Sequence, residues 1–532
     1  MKNGIFFVID ALRFDTLDDE NKRRYLFPNL NKIIEKSSFY KCVANSRSTQ
    51  FVLPSLFTLS YPLDYGGYDV GIRRRPLTVA EFLKKNGFQT CFISNCNQVG
   101  VTNGYERGFD EAKASVDFNT LLEQRISRTI KPKYLREKEQ SREKAQKNLR
   151  EEFGLFLDTL IKNIESYDKS IWTKKLLNSN LKLAKLFKLE KKILDDHIEL
   201  IEEKIKLISP GNYRKFLGKK NISRLNIFID KFFSGISWRV RAFISHNPKF
   251  FPFQWFGHIA VKFTNIQKKF YENIERLHET KKPFFMYVHC MDVHDNRDIS
   301  DFNYILSKYK FFFKWLYARI TGLTIRTFNY DASLMMVDND LKKMFEMINS
   351  TKFNDTIFLI TADHGSGSTA SPNRGLFLKE RFLEMYREDL EVPVIIAENK
   401  KNFFFDKDLI DSMDASRIFL NKLGIEDFPD CFKGQLMEKN RKDYVVSEHG
   451  GRGSPDLMLN DLYFVITKRE EKLFVILKEK TLKAVAFFNL LDDPKEQNNL
   501  VDKIEYKRKI NSLLENLHTE RGEIINQRLK SQ

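Results

Sequence analysis

Residues 5–10 read IFFVID and residues 357–365 read IFLITADHG. Each holds a run of four or five apolar residues, β-branched or aromatic, that stops at a polar one: Asp10 in the first, Thr361 in the second. Runs this short and this uniformly apolar predict strands buried on both faces, as in a parallel sheet. Two more fit the rule, Thr90–Ile93 before Ser94 and Phe284–Val288 before His289. Helical patterns lie between them at Leu77–Asn86 and Tyr330–Met347, the latter with Leu334, Val337, Leu341, Met344 and Phe345 at helical spacing. Strand–helix alternation predicts an α/β fold, a mostly parallel sheet sandwiched by helices.

Two stretches interrupt the alternation. Residues from about 118 to 275 are Lys-rich and helical in pattern, and a shorter stretch at about 302–328 contains YILSKYKFFFKWLYARI. Beyond about residue 400 the texture changes to short strands joined by turns, as in LYFVITKREEKLFVILKEKTLKAVAFFNL, which predicts an antiparallel unit. The expected organisation is a catalytic α/β domain over 1–400 carrying both insertions, followed by a small α+β unit over 401–532.

Of 532 residues, 42% are hydrophobic and 30% charged, which excludes wholesale disorder. Lys and Arg outnumber Asp and Glu by 89 to 71, a formal +18 that suits an anionic partner: phosphate, sulfate, acidic glycan, nucleic acid or anionic lipid. No nucleic-acid recognition motif accompanies the charge. The five cysteines form no CxxC pair, so neither a zinc ribbon nor a disulfide framework is expected. The first apolar run is too short and too soon charged for a signal peptide, and no stretch reaches the roughly 18 apolar residues of a membrane span. The expected location is the cytoplasm, with the basic aromatic insertions as candidates for contact with a membrane surface.

The chemistry sits at strand ends, where open parallel sheets bind their ligands. Asp10, Asp363 and His364 can converge there on one divalent cation; two carboxylates and an imidazole suit Mg²⁺, Ca²⁺ or Mn²⁺ as well as Zn²⁺. His289, Asp292 and His294 fall within six residues after another strand and are costly to bury without partners or a ligand. His449 lies in the Gly-rich VVSEHGGRG, which allows close approach to an anion. Asn95, Arg47 and Arg452 are candidates to bind anionic oxygens.

Taken in order, these segments resemble the sulfatase family of the alkaline-phosphatase superfamily. FFVIDALRFDTL (6–17) is similar to its metal-binding first strand, LPSLFTLSYP (53–62) to the segment after its nucleophile, and YERGFDE (105–111) to its Gly-Phe-Asp turn. PFFMYVHCMDVHD (283–295) resembles its H-x-x-D-x-H strand, and YDASLMMVDNDL (330–341) the helix that follows. TADHG (361–365) resembles its second metal motif, YREDLEVPVII (386–396) the next strand, and FNLLDDPKEQNNLVD (488–502) its closing segment. The resemblance implies a metal held by Asp10, Asp363 and His364. It also implies that His294 contacts the transferred group, or shares a second metal with Asp292, while His289 orients its neighbours and His449 stands where two-metal relatives place a late histidine.

The chain departs from the family at the nucleophile. Formylglycine-using sulfatases need Cys or Ser two residues before the Pro of C-x-P-S-R; here Val52 holds that position and Leu56 replaces the Arg. FISNCNQVG also stands where a Gly-Lys-Trp-His segment is expected. Phosphoryl-transferring relatives use an unmodified Thr or Ser, which points to Thr49 first and Ser48 second, with Thr49 also a metal ligand. The alternative is an emptied site in which Thr49 merely caps the following helix.

The expected function is metal-dependent hydrolysis or transfer of a sulfate or phosphate ester of an anionic small molecule, glycan or lipid-linked substrate. A phosphoglycerol- or phosphoethanolamine-type transferase on a glycan or lipid-linked acceptor, and a non-catalytic binding protein that retains the fold, are the alternatives. The insertions interleave Phe and Trp with Lys and Arg. That texture fits helices packed on the core, a lid over the site, or contact with an anionic membrane surface.

Overall fold

The computed structural model describes residues 1–66, 71–100, 103–246, 261–296, 302–367, 385–399, 402–436, 443–450 and 461–530. Its main sheet is built from β1 (Asn3–Ile9), β2 (Ser37–Val43), β3 (Gln89–Ser94), β4 (Glu111–Ala114), β5 (Phe284–Cys290), β6 (Thr356–Thr361), β7 (Glu391–Ala397) and β8 (Phe404–Asp411). They lie in the order β4-β3-β5-β1-β6-β7-β2-β8. Every pairing is parallel except those of β7, which runs against both β6 and β2. All residues of β1, β5, β6 and β7 are buried, as their unbroken apolar runs require. In register, Val8 of β1 lies beside His289 of β5 and Thr361 of β6. Asp10, His289 and the turn after Thr361 therefore leave the sheet at one edge.

Local chemistry fixes the helices around it. Thr78 and Glu81 form a reciprocal capping box that starts the helix Val79–Lys85. The periodic stretch from Tyr330 is two helices, Phe328–Asp340 and Lys342–Ile348, the first buried on nearly every side. In the long insertion, helices Arg142–Ser166 and Lys174–Asp196 pack as a hairpin. Glu190, fully buried, is paid for by Lys204 at 2.6 Å, the Tyr213 hydroxyl at 2.9 Å and the Gly218 N–H at 2.7 Å. The helix Phe263–Glu279 belongs with the sheet: Phe263 and Phe270 meet Phe7 with ring centroids 5.0 and 5.8 Å apart. No helix among the described residues is long and apolar enough to cross a membrane.

A second, antiparallel sheet joins β9 (Val445–Gly450), β10 (Leu462–Lys468), β11 (Glu471–Lys478) and β12 (Thr481–Asn489) in the order β12-β11-β10-β9. The expected boundary at residue 400 is corrected by β8. That strand pairs in parallel with β2, Cys42 opposite Ile410, and the helix Ser412–Lys422 packs on the helix Thr49–Thr58, so residues 404–422 complete the large sheet's layer. The small sheet docks through β9, where Ser447 Oγ donates to Ala44 O at 2.6 Å and Glu448 N–H donates to Asn45 O at 2.8 Å.

The C-terminal helix Lys507–Lys530 locks this junction with one buried arginine. Arg521 donates to Glu448 Oε2 at 2.7 Å and to Asp64 Oδ1 at 2.9 Å, while Glu448 Oε1 accepts from Leu63 N–H at 2.7 Å. Replacing Arg521 leaves the buried Glu448 without its cation, while Asp64 keeps Lys433 at 2.8 Å. Arg521→Ala is expected to cost about 3–5 kcal/mol in denaturant unfolding; a loss below about 1 kcal/mol would show that the junction is held elsewhere.

Candidate functional site

β1 ends at Ile9 and its chain turns sharply through Ala11, whose φ of 64° is left-handed, so the carboxylate of Asp10 stays beneath the sheet edge. Asp10 is fully buried. Its Oδ2 accepts from His289 Nε2 at 3.1 Å, and His289 Nδ1 meets the Tyr287 hydroxyl at 2.9 Å. Asp10 holds one side of the ring and Tyr287 the other, which fixes the ring and the carboxylate together. Burial opposes the ring's charge, but Tyr287, Cys96 and the Asp10 hydrogen bond raise its pKa well above the usual imidazole value. Burial opposes the charge on Asp10. His294, the His289 hydrogen bond and His364 outweigh it and hold the carboxyl below the usual carboxylate range.

After β6 the chain folds back on residues 388–389. Gly365 N–H donates to Asp389 O at 2.8 Å and Gly367 N–H to Asp389 Oδ1 at 2.9 Å. A Cβ on Gly365 would stand 2.0 Å from Glu388 O, so this close approach admits only glycine. Arg13, buried, ties the turn to the end of β1 by donating to Ser366 O at 3.0 Å and pairing with Asp15 and Glu388. Burial works against Asp15, but Arg326 and Arg13 bring its carboxyl down to about 2.

His364 Nδ1 donates to Gly365 O at 2.6 Å, which leaves Nε2 as a lone pair directed into the cluster. That Nε2 lies 3.6 Å from Asp10 Oδ1 and 3.6 Å from Asp363 Oδ2. Asp10, Asp363 and His364 bring one ligand atom each within 4.8 Å of one another. Asp10 Oδ1 and both Asp363 oxygens are buried without a hydrogen-bond partner. Three orphaned carboxylate oxygens facing an imidazole lone pair are strongly destabilising unless a cation sits among them. The donor set thus fits a divalent metal.

Thr49 is the first residue of the helix Thr49–Thr58. Its hydroxyl lies 3.1 Å from Asp10 Oδ2 and 3.2 Å from His364 Nε2. Ser48, at the cap position itself, turns a buried Oγ that has no hydrogen-bond partner. His294 stands at the mouth, its side chain 44% exposed, paired with Asp295 at 2.9 Å and edge-on to the His364 ring at 6.2 Å. Burial opposes its charge, but Asp10, Asp295 and Asp363 raise its pKa to about 10.

The remaining predicted residues divide. His449 rests against Phe51, ring centroids 4.0 Å apart, with Nδ1 3.3 Å from Ser46 Oγ, so it borders the start of the Thr49 helix. Arg47 is half-buried and within electrostatic reach of Asp389. Asp292 and Asn95, expected at a second metal or the substrate, are instead committed to structure. Asp292 accepts from Phe263 N–H at 2.8 Å at the start of a helix and from Asn95 at 3.3 Å, while Asn95 also bridges Val261 O and Met291 N–H. Buried negative charge at a helix N-terminus explains why the fold retains Asp292. Arg452 lies outside the described residues.

Two residues escaped the sequence reading. Cys96 forms a second cluster with Asp10 and His289. It follows β3 by two residues, much as Asp10 follows β1, and that parallel placement was the available signal. Arg13 gave no signal, because Ser366, whose carbonyl it holds, is some 350 residues away.

Comparison with known proteins agrees with this geometry. An arylsulfatase of Clostridium perfringens (strain 13 / Type A) is 26% identical over 201 residues, 35% of this chain and 37% of that one, so the match spans little more than a third of that relative. Two solved structures share the fold along almost the whole chain. The sulfatase-like yidJ of Bacteroides fragilis has a TM-score of 0.56 at 15% identity, covering 99% of this chain and 96% of its own. The phosphonate monoester hydrolase of Agrobacterium radiobacter has a TM-score of 0.53 at 13% identity, covering 98% and 96%. A family model described as Sulfatase matches residues 2–178 and 229–425, most of the chain, leaving out only the middle of the long insertion and the C-terminal unit. With the carboxylate–imidazole cluster at the sheet edge lying inside this match, the chain belongs to the sulfatase family.

Proposed function

We propose that this protein is a metal-dependent hydrolase or transferase of sulfate or phosphate esters that uses unmodified Thr49 as its nucleophile. The observation that carries the reading is the Thr49 hydroxyl, buried between Asp10 Oδ2 and His364 Nε2, while the cap position of the helix belongs to Ser48. Asp10, Asp363 and His364 would hold the cation, with Thr49 beside them. A divalent ion bound there supplies charge neutralisation for the ester oxygens and a lowered pKa for a neighbouring hydroxyl.

The chain's own groups do the rest. Thr49 Oγ1 gives its proton to Asp10 Oδ2, to which it donates at 3.1 Å, and forms a bond to phosphorus or sulfur. The bond to the ester oxygen breaks, and that oxygen takes a proton from solvent at the open mouth and leaves as the alcohol. His294, at the mouth, is placed to donate to a nonbridging oxygen. The partial positive charge at the N-terminus of the Thr49 helix favours the same anion. Water or an acceptor hydroxyl then takes the group from Thr49, giving hydrolysis or transfer.

Beside Gln50 lies a cavity of about 260 Å³, lined by Arg73, Arg74, Arg125 and Arg128 with Glu152 as its one carboxylate. Arg128 hydrogen-bonds Gln50, the residue after the nucleophile. Four arginines lining a cavity that Gln50 also borders support an ester substrate with further anionic groups, such as an acidic glycan.

Three outcomes test this reading. Thr49→Ala should lose roughly 10³-fold or more in turnover on whichever sulfate or phosphate ester the wild type cleaves, with stability changed by less than about 1 kcal/mol; full activity would move the nucleophile to Ser48. In chelator, Asp363→Asn should melt above the wild type, because it relieves carboxylate repulsion by about 1–3 kcal/mol. Restoring Mn²⁺, Ca²⁺, Mg²⁺ or Zn²⁺ should stabilise only the wild type, by about 2.7 kcal/mol at a hundredfold excess over Kd. Arg74→Ala with Arg125→Ala should raise KM about tenfold or more for a polyanionic ester and leave kcat and a singly charged ester unaffected.

A further inference from the structure

The helix Arg224–His246, within the long insertion, is mounted with its apolar stripe facing outward. Phe228, Ile229, Phe232, Phe233, Ile236 and Val240 recur at the spacing of a single helix face, and all six are exposed, Phe228 at 66%, Phe232 at 57% and Phe233 at 64%. The opposite side is the one docked on the protein. Ile227 is buried, Asp230 pairs with Lys215 at 2.5 Å, and Ser234 Oγ donates to Asn212 Oδ1 at 3.3 Å. A surface helix ordinarily buries its apolar stripe and exposes the polar side. Here polar contacts hold the helix and a row of phenylalanines meets solvent.

Charge decides what covers that row. Lys231 and Arg239 lie exposed beside the stripe, and the helix's one carboxylate, Asp230, is already paired with Lys215. Two such helices packed face to face would bring like charges together on a chain whose formal charge is already +18. An anionic lipid surface has the complementary properties: acyl chains for the phenylalanines and phosphate headgroups for the lysine and arginine. A charged pair in mid-helix prevents the segment from spanning a bilayer, so it would lie in the interface plane. The helix Phe312–Ile320 repeats the pattern independently, with Phe313, Tyr317 and Ile320 exposed and Lys314 and Arg319 in the same nine residues.

We propose that the helix Arg224–His246 docks the protein flat on an anionic membrane surface. The test is co-sedimentation of the full chain with vesicles of phosphatidylcholine alone and of phosphatidylcholine with an equal part of phosphatidylglycerol. Retention is expected on the anionic vesicles only, and it should fall as salt is raised. Phe232→Ser with Phe233→Ser should weaken it about tenfold or more, and Lys231→Glu with Arg239→Glu should remove the preference for phosphatidylglycerol. All four residues are exposed, so neither variant should shift the melting temperature. Equal retention on both vesicles, no retention on either, or retention unchanged by Phe232→Ser with Phe233→Ser would overturn the proposal. So would a dimer that this variant disperses, which would identify a second copy as the cover. None of these outcomes depends on which ester the enzyme cleaves.

Discussion

Everything at the active edge answers to the negative charge buried at the end of the central strand. Asp10 and Asp363 place carboxylate oxygens within 4.8 Å of one another with too few donors to satisfy them. A chain that only folded would replace one of the pair, because uncompensated buried charge costs several kcal/mol. The surroundings instead immobilise both. The Tyr287–His289 chain holds Asp10, Gly365 backs against Glu388 O, and Arg13 straps the loop from the far side. This rigid, charged edge fits a cation, whose charge would offset the carboxylate oxygens left without partners.

The elements that the sequence made legible are those defined by their own residues. Unbroken apolar runs predict β1, β3, β5 and β6, and the polar residues that stop them include Asp10 and His289. What stayed hidden depends on pairing between distant segments. β8 reads locally as part of a C-terminal unit because nothing in FFDKDLID reveals that β2, more than 360 residues earlier, is its neighbour. Asp292 sits in a metal-like pattern, His289 to His294, yet its role is set by the N–H of Phe263 at the end of the insertion. Arg13 and Cys96 are ordinary residues in one dimension and become part of the site only when the strand ends converge.

The insertion does more than fill space between β4 and β5. Its first helices furnish Arg125 and Arg128 to the cavity beside Gln50, and a later one turns phenylalanines outward. The sheet edge thus carries the carboxylate–imidazole cluster, while the basic insertion furnishes part of the arginine-lined cavity and carries the exposed aromatic face.

The strand order also sets a timetable. β1 emerges first from the ribosome, yet both its neighbours, β5 at residues 284–290 and β6 at 356–361, come after the whole insertion. At about 5–20 residues per second, the interval is on the order of tens of seconds. Throughout it, IFFVI has two unpaired edges and no partner to close them. The nascent chain must therefore be shielded by a chaperone, or hold that strand against its own early helices, until the centre of the sheet can be threaded between β3 and β7.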